Sequence, residues 1–165
     1  MEMTIRKVKP TDNQALASMI KAVFVEHDAP KVGTVYSDPT TNHLYELFDE
    51  DKAELWVAEE GGNVVGCCGI YPTSGLPAGC VELVKFYLAP NARGKGVGRA
   101  LMEKSMESAQ NMGYKQVYLE SHPKFAKAVG MYEKLGFVML PEAMGQSGHS
   151  SCNIWMLKTF DDLEE

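Results

Sequence analysis

The sequence predicts an α/β fold of the α+β kind, in which helices cover both faces of a mixed central sheet. Two kinds of apolar pattern indicate it. In some segments apolar residues recur at three- and four-residue steps, which is typical of the buried face of a helix. In others they alternate or run on continuously, which is typical of strands. The two patterns follow one another in the order β-α-α-β-β-β-α-β-α-β-β, and this order requires helices on both faces of the sheet.

The first part of the chain predicts one strand and two helices. Residues 4–8 alternate in polarity like a strand. Thr11 and Gln14 have the spacing of a capping box, and the apolar residues behind them form one face of a helix. Residues 26–41 are interrupted by glycine and proline and predict a loop, which leads into a shorter helix over residues 43–48.

The middle of the chain predicts three strands. Residues 55–59 and 64–71 flank Glu60-Gly61-Gly62-Asn63, which is a strong hairpin signal. A strand over residues 80–88 then leads into a glycine-rich segment. The helical pattern after that segment stops at Gly113.

The last part of the chain predicts a helix between strands. Residues 116–120 form a short strand, after which Ser121-His122-Pro123 opens a helix that Gly136 ends. Residues 137–140 and 151–158 predict the closing strands, and the segment between them is rich in turn residues.

Length and composition predict one domain over residues 1–165, since 45% of the residues are hydrophobic and can form a core. A net charge of −6 and a pI near 5.3 argue against nucleic acid as a partner, because a nucleic-acid-binding protein presents a basic surface. The sequence shows no signal peptide and no apolar run of membrane-spanning length. We therefore expect a cytoplasmic protein that does not bind membranes.

The four cysteines, Cys67, Cys68, Cys80 and Cys152, form no Cys-x-x-Cys pair and no other spacing of metal ligands. No metal site is therefore predicted. Three of the cysteines lie in apolar strand patterns, which indicates buried and reduced thiols.

The glycine-rich segment between the strand at 80–88 and the next helix predicts a binding site for phosphate. Glycines allow successive backbone N–H groups to turn toward one point, and the first turn of a helix adds unpaired N–H donors and positive potential. The alternative is a mobile connection, which rarely alternates glycine with cationic residues. The segment contains Arg93, Gly94, Lys95, Gly96, Val97, Gly98 and Arg99.

The spacing of these residues excludes two nucleotide-binding motifs. A P-loop requires Lys followed by Ser or Thr after its second glycine, and a dinucleotide fingerprint requires glycine where Arg99 stands. The spacing that remains, Arg-x-x-Gly-x-Gly after a strand ending in Leu-Ala-Pro, resembles the pyrophosphate loop of the GNAT superfamily of acyl-coenzyme A-dependent N-acetyltransferases. Residues 128–137, Ala-Val-Gly-Met-Tyr-Glu-Lys-Leu-Gly-Phe, are similar to a second conserved segment of that family.

The resemblance implies a mixed, mostly antiparallel sheet and acetyl-CoA as co-substrate. It implies that the N–H groups of residues 94–98 hold the pyrophosphate, with Arg93 and Arg99 adding positive charge. It also implies that the pantetheine arm pairs with Phe86-Tyr87-Leu88, where this strand separates from the next parallel strand. Relatives often carry Asn where this chain has Phe125, so that contact with the coenzyme arm comes from Ser121 or the backbone, or it is missing.

Acetyl transfer to an amine requires stabilisation of the carbonyl oxygen, a proton for the leaving thiolate and a route for the proton of the amine. The N–H of Leu88 is our candidate for stabilising the carbonyl oxygen. Tyr132 is the candidate general acid, because it occupies the place at which many relatives hold a tyrosine near the sulfur. Periodicity alone makes Tyr132 part of a helix face packed in the core.

Glu82 is the candidate general base, because it matches an acidic position that in some relatives deprotonates the amine. An exposed strand carboxylate fits the pattern equally well. Glu120, water or one of the histidines His27, His43, His122 and His149 are the alternatives.

The resemblance predicts an N-acetyltransferase that acts on a primary amine by direct attack in a ternary complex. A CoA-binding sensor without turnover, a different acyl group and a hydroxyl acceptor remain alternatives. The acceptor is not identified, since residues 26–48 and 141–150, which would line its pocket, vary within the family. The oligomeric state is open, and the resemblance makes a homodimer one expectation, because dimers are frequent in the family.

Overall fold

The computed structural model describes residues 2–32, 35–125, 127–145 and 153–160. Within these residues seven strands form one sheet. They are β1 (Met3–Lys7), β2 (Glu54–Glu60), β3 (Asn63–Tyr71), β4 (Cys80–Leu88), β5 (Gln116–Ser121), β6 (Val138–Met139) and β7 (Ile154–Thr159). Their order in the sheet is β1-β2-β3-β4-β5-β7-β6, and every neighbouring pair except the parallel β4–β5 pair is antiparallel.

The four α-helices of the described chain lie on the two faces of this sheet. They are α1 (Asn13–Glu26), α2 (Leu44–Phe48), α3 (Val97–Asn111) and α4 (Lys127–Lys134). The apolar faces of α1 and α2 pack into one core cluster, and those of α3 and α4 pack into another on the opposite face. Cys67 and Cys68, which are neighbours in β3, belong to different clusters because successive strand residues point to opposite faces. The predicted fold class is confirmed.

The beginning of α1 differs from the predicted capping box. The N-cap residue is Asp12 and not Thr11, and a short 3₁₀ turn precedes the helix. The Asp12 carboxylate accepts two hydrogen bonds from the Arg6 guanidinium, at 2.8 and 3.0 Å, and one from the N–H of Lys9 at 2.7 Å. Hydrogen bonds between charged groups are stronger than those of a neutral cap. The bidentate contact between Arg6 and Asp12 therefore fixes the chain at the start of α1.

The loop predicted over residues 26–41 contains two 3₁₀ turns, Val35–Ser37 and Pro39–Asn42. The Asp38 side chain caps the second turn by accepting the N–H of Thr40 at 2.9 Å. The last strand begins at residue 154 in the described chain, and the predicted residues His149 and Cys152 lie outside the described residues. No helix within the described ranges is both long and apolar enough to cross a bilayer.

The separation of β4 and β5 positions the site. The two strands pair only where Cys80–Glu82 meets Gln116–Tyr118, and beyond these residues they diverge. On its other edge β4 carries a bulge, because the register with β3 leaves Lys85 and Phe86 opposite the single residue Cys68. Lys85 lies in the left-handed region, with φ of 58°. The sheet is therefore open along one side of the second half of β4.

Candidate active site

A cleft of about 610 Å³ lies where β4 and β5 separate. Its walls come from the second half of β4, the end of β5, the end of α1, the segment between β4 and α3, and one face of α4. All the predicted site residues except Lys95 line it. These residues are Glu82, Phe86, Tyr87, Leu88, Arg93, Gly94, Gly96, Val97, Gly98, Arg99, Ser121 and Tyr132.

Residues 93–99, which we call the phosphate loop, depend on two glycines for their conformation. Gly94 and Gly96 have φ of 75° and 81°, in the left-handed region that disfavours residues with a Cβ atom. Gly96 is the N-cap of α3. A Cβ atom added at either position would meet nothing within 4 Å. Glycine is therefore required there by the backbone and not by packing.

The N–H groups of residues 94–99 donate to no acceptor among the described residues. The preceding N–H, of Arg93, donates to the Pro90 carbonyl at 3.3 Å and is not available. A run of free donors at the start of a long helix is a binding site for an anion, because the donors and the helix dipole both favour negative charge. The phosphate loop thus has the donors that a pyrophosphate needs.

Gly98 has a different role from the other two glycines. A Cβ atom at this position would lie 3.1 Å from Leu88 Cδ1 and 3.2 Å from Phe86 Cζ. These contacts are tighter than ordinary van der Waals distance, so glycine allows α3 to pack directly on β4. The close packing fixes the start of the helix beside the strand that lines the cleft.

The three cations of the phosphate loop are placed differently. The Arg93 guanidinium donates to both oxygens of Glu26, at 2.5 and 2.8 Å, and to the Leu88 carbonyl at 2.9 Å. Arg99 lines the cleft and pairs with Glu103 at 3.1 Å. Lys95 does not line the cleft, and its ammonium pairs with Glu60 at 3.3 Å. The Lys95 side chain is therefore engaged outside the cleft.

The N–H of Leu88 faces the open side of β4. The next residue, Ala89, donates its N–H to the Val65 carbonyl of β3 at 2.8 Å. Successive residues of a strand direct their N–H groups to opposite edges, so the Leu88 N–H points away from β3. The Leu88 carbonyl points the same way, because it accepts a hydrogen bond from Arg93 across the cleft wall.

Glu82 is buried and not a solvent-exposed strand residue. Its side chain accepts a hydrogen bond from Thr73 Oγ1 at 2.5 Å, and the residue is 2% exposed. Burial raises the pKa of Glu82 to about 7, with a further contribution from the negative charge of Glu120. A carboxyl group with this pKa can gain and lose a proton near neutral pH, as a general base must.

Glu120, the alternative base, is held by a tyrosine. Its carboxylate accepts the hydroxyl of Tyr118 at 2.7 Å, and the Tyr118 oxygen accepts the N–H of Met144 at 3.1 Å. Burial and this bond to Glu120 raise the pKa of Tyr118, so the phenol keeps its proton. Glu120 therefore contributes a second carboxylate to the cleft, next to Glu82.

Tyr132 lies on α4 and packs between two aromatic rings. Its ring centroid is 6.1 Å from that of Phe86 and 6.0 Å from that of Phe137. Burial raises the pKa of Tyr132, so the phenol is protonated throughout the neutral range. The residue belongs to the core, as its periodicity indicates, and also lines the cleft beside Phe86 of β4.

The candidate histidines lie in different parts of the structure. His27 and His122 line the cleft, whereas His43 precedes α2 and does not. The Nδ1 atom of His27 lies 3.1 Å from the Val23 carbonyl, which ties the ring to the end of α1. His27 and His122 thus line the same cleft as Glu82 in the described chain.

Phe125 takes part in an aromatic cluster with Phe24 of α1 and Tyr87 of β4. Its ring centroid lies 5.2 Å from Phe24 and 6.3 Å from Tyr87, and all three residues line the cleft. The residue at the place of the family's Asn is therefore an apolar wall. Ser121, buried at the end of β5, lines the same cleft.

Sequence reasoning missed Lys85. It is 6% exposed and lines the cleft at the bulge of β4. Together with Glu82 and Glu120 it forms what we call the charge cluster, since both Glu120 and Lys85 influence the pKa of Glu82. One signal was present in the sequence: a lysine that interrupts the apolar run of residues 83–88.

Comparison with known proteins agrees with this geometry. The model of the acetyltransferase (GNAT) family matches residues 20–137, which include the phosphate loop and both separated strands. YjgM, an uncharacterized N-acetyltransferase of Escherichia coli (strain K12), is 36% identical over 155 residues, which are 93% of this chain and 93% of YjgM.

Solved structures share the fold. An acetyltransferase of the GNAT family from Staphylococcus aureus Mu50 superposes with a TM-score of 0.84 at 16% identity, over 96% of this chain and 99% of that one. The PaiA N-acetyltransferase from Thermoplasma acidophilum, solved in complex with coenzyme A, superposes with a TM-score of 0.73 at 19% identity, over 97% and 100% of the two chains.

Proposed function

The chain belongs to the acetyltransferase (GNAT) family, and from this premise we propose the reaction that it catalyses. It transfers the acetyl group of acetyl-CoA to a primary amine of a small molecule or a protein. The amine attacks the thioester directly while both substrates are bound.

One observation supports this proposal most strongly. The free N–H groups of residues 94–99 lie at the start of α3, directly beside the open edge of β4. A diphosphate bound at the phosphate loop would leave the arm that follows it next to Phe86 and Leu88. The unpaired N–H of Leu88 can bond to this arm, or to the thioester carbonyl at its end.

The proposed chemistry uses three groups of the cleft. The Glu82 carboxylate takes the proton of the amine, and the amine nitrogen then attacks the carbonyl carbon. The N–H of Leu88 bonds to the carbonyl oxygen as negative charge develops there, which is an interaction that contributes roughly 2–4 kcal/mol to such reactions. As the carbon–sulfur bond breaks, the Tyr132 hydroxyl gives its proton to the thiolate of CoA, and the second proton that leaves the nitrogen as the amide forms returns Tyr132 to the phenol.

The cysteines support direct attack and not an acetyl-enzyme intermediate. In the described chain Cys67, Cys68 and Cys80 are buried, and none of them lines the cleft. Burial raises the pKa of Cys68 to about 12 and that of Cys80 to about 11, so these thiols are poor nucleophiles. Free buried thiols also fit the reducing cytoplasm, which is where we propose that the enzyme works.

The proposal is tested by release of the CoA thiol from acetyl-CoA in the presence of a broad panel of amines. We expect amine-dependent release, together with heat of binding for CoA and acetyl-CoA in titration calorimetry. A protein that binds CoA but releases no thiol with any amine would be the CoA-binding sensor instead.

The variant Tyr132→Phe separates the two functions further. We expect kcat to fall about 100-fold, because the leaving thiolate loses its proton donor, while the Kd of acetyl-CoA changes little. Tyr114→Phe is the matched control, since it also removes one hydroxyl, from a tyrosine outside the cleft that bonds the Lys52 carbonyl at 3.1 Å. Equal rates for the wild type and Tyr132→Phe would exclude Tyr132 as the acid.

A further inference from the structure

Lys85 is a buried cation that the proposed reaction does not use. It lies on β4 three residues after Glu82, at the bulge where the strand turns away from β5. Its charge interacts with Asp38, Glu82 and Cys67, and Cys67 belongs to the core cluster under α1 and α2. The ammonium therefore lies on the α1 side of the sheet, near the carboxyl group of Glu82.

The Lys85 ammonium has no direct partner among the described residues. No side chain or carbonyl of the described chain accepts a hydrogen bond from it or forms an ion pair with it. The one fully enclosed side-chain oxygen or nitrogen without a hydrogen bond in the described chain is Ser105 Oγ. Lys85 lines the cleft and its Nζ is not fully enclosed, so we take the ammonium to face the space of the cleft.

The charges of Asp38 and Glu82 act on the Lys85 ammonium without a hydrogen bond to it. A buried ammonium without a direct partner is energetically unfavourable, and a bound anion relieves this cost. Burial accordingly lowers the pKa of Lys85 from its ordinary value. The other members of the charge cluster, Glu82 and Glu120, are carboxyl groups, which carry the opposite charge when ionised and then attract an ammonium group. The cleft therefore presents one site for an anion and one for an amine, side by side.

We propose that Lys85 binds the carboxylate of an acceptor that carries its amine on the adjacent carbon, so that the acceptor is an α-amino acid. This inference rests on the proposed function and specifies its substrate. The aromatic cluster of Phe24, Tyr87 and Phe125 lies on the same face of the sheet and lines the same cleft. It provides an apolar wall, which favours amino acids with apolar side chains over polar ones.

The test compares each amino acid with the amine that lacks only its carboxylate. The acceptors are L-phenylalanine against 2-phenylethylamine, and L-leucine against 3-methylbutylamine. For the wild-type enzyme we expect kcat/KM to be about 10- to 100-fold higher for the amino acid, because a charged contact in a buried site contributes this much. The amides of the two amino acids, which keep the shape but not the charge, should behave like the amines.

Two substitutions at Lys85 separate charge from shape. Lys85→Met keeps the length but removes the charge, and we expect the preference for the amino acid to fall to less than about threefold. Lys85→Arg keeps the charge and should retain most of the preference. Both variants place a residue with a Cβ atom at φ of 58°, so they carry the same backbone strain as lysine. Lys52→Met, which removes an exposed lysine outside the cleft, is the control.

Three kinetic results would overturn the inference. They are equal kcat/KM for the paired acceptors in the wild type, a preference that survives Lys85→Met, and thiol release only with amines that lack a carboxylate. Acetylation of Lys85 itself, detected by peptide mass spectrometry after incubation with acetyl-CoA, would also overturn it, because the lysine would then be an acceptor and not an anion site.

The outcome for the inference is distinguishable from the outcome for the proposed function. If calorimetry detects no binding of CoA, the proposed transferase function is wrong, and so is the inference about Lys85 that rests on it. If CoA binds and amines are acetylated without regard to a carboxylate, only the role of Lys85 fails. The wild-type comparison of paired acceptors gives this answer even if a Lys85 variant does not fold.

Discussion

The phosphate loop and the charge cluster lie in the same cleft but are built from different parts of the chain. The loop offers main-chain N–H groups on a segment that bends at Gly94 and Gly96. The cluster offers side-chain charges, and Glu82 and Lys85 are 2% and 6% exposed. The first region is suited to binding through backbone geometry, and the second to acting through electrostatics in a buried environment.

This difference has a physical consequence. Backbone N–H groups do not titrate, so the grip on the diphosphate should be nearly independent of pH around neutrality. The charge cluster titrates there, since burial raises the pKa of Glu82 to about 7. Substitutions should therefore separate into those that change coenzyme affinity and those that change turnover and its pH dependence.

The largest expected effect is that of Glu82→Gln on turnover. Loss of the base should lower kcat by about 10²- to 10³-fold, because general base catalysis is worth this much. The Kd of CoA should stay within about twofold of the wild type, because the substitution does not touch the phosphate loop. Stopped-flow kinetics of thiol release give kcat, and titration calorimetry gives the Kd of CoA.

Glu54→Gln is the matched control for this substitution, since Glu54 lies on β2, outside the cleft, and pairs with Lys7 at 3.5 Å. A fall in CoA affinity with unchanged kcat in Glu82→Gln would mean that the two regions are not separate.

The pH dependence sharpens the same comparison. The base must be deprotonated, so activity that depends on Glu82 should rise with pH and level off above about 7. The acceptor amine titrates in the same way with both enzymes. Dividing kcat/KM of the wild type by kcat/KM of Glu82→Gln therefore cancels its contribution to the pH profile. We expect this ratio to fall about tenfold between pH 8 and pH 6. A ratio that does not change over this range would contradict the assignment of the base.

Stability provides a second readout of the Glu82 pKa. The folded-state pKa of about 7 exceeds the ordinary value of 4.5. The folded protein therefore holds this proton more tightly than the unfolded chain does. This tighter proton binding stabilises the fold at low pH, and its contribution to the free energy of unfolding is lost as pH rises from 4.5 to 7. Glu82→Gln should be more stable than wild type at pH 8, by on the order of 3 kcal/mol, and the gain should vanish near pH 4.5 in denaturant unfolding.

A smaller effect is expected from Gly96→Ala, which changes only the phosphate loop. A Cβ atom at φ of 81° costs about 1–2 kcal/mol of backbone strain. The loop would relax and its N–H groups would no longer converge, so we expect the Kd of CoA to rise about tenfold, with the pH profile of turnover preserved.

Gly62→Ala is a close control, because Gly62 has φ of 84° and equally open surroundings, in the hairpin between β2 and β3. It should cost similar stability in denaturant unfolding but leave CoA affinity unchanged. Equal CoA affinity in the Gly96 and Gly62 variants would show that the loop conformation does not serve binding.

The smallest effect is expected at the ion pair between Arg93 and Glu26. In Glu26→Gln the guanidinium loses a competing carboxylate and is free to turn toward a diphosphate. Exposed ion pairs are worth at most about 1 kcal/mol, and both side chains are more than one-third exposed. CoA should therefore bind about two- to fivefold more tightly. Weaker binding would mean that Glu26 holds Arg93 in its binding position.

The phosphate loop could be predicted from sequence because its determinants are adjacent in the chain. A strand pattern, two glycines that need positive φ and the first turn of a helix are all local signals. The separation of β4 and β5 was predicted from the family resemblance. In the structure the two strands are separate along Phe86-Tyr87-Leu88, as that resemblance implies.

The charge cluster could not be predicted in the same way. Burial of Glu82 depends on Thr73 and on the neighbouring strand β5, and the exposure of Lys85 to the cleft depends on a bulge set by the register with β3. Arg93 pairs with a glutamate 67 residues away. The cap of α1 likewise depends on Arg6 reaching Asp12. These features arise from tertiary contacts, which the local pattern of residues does not encode.

The most direct test of the central claim is to compare the binding of CoA with that of pantetheine, which keeps the thiol arm but lacks the diphosphate. If the amides of residues 94–99 grip a diphosphate at the start of α3, calorimetry should show CoA binding at least about 100-fold more tightly, because several charge-assisted hydrogen bonds are lost in pantetheine. Equal affinity for the two ligands, or no heat with CoA at all, would contradict the claim.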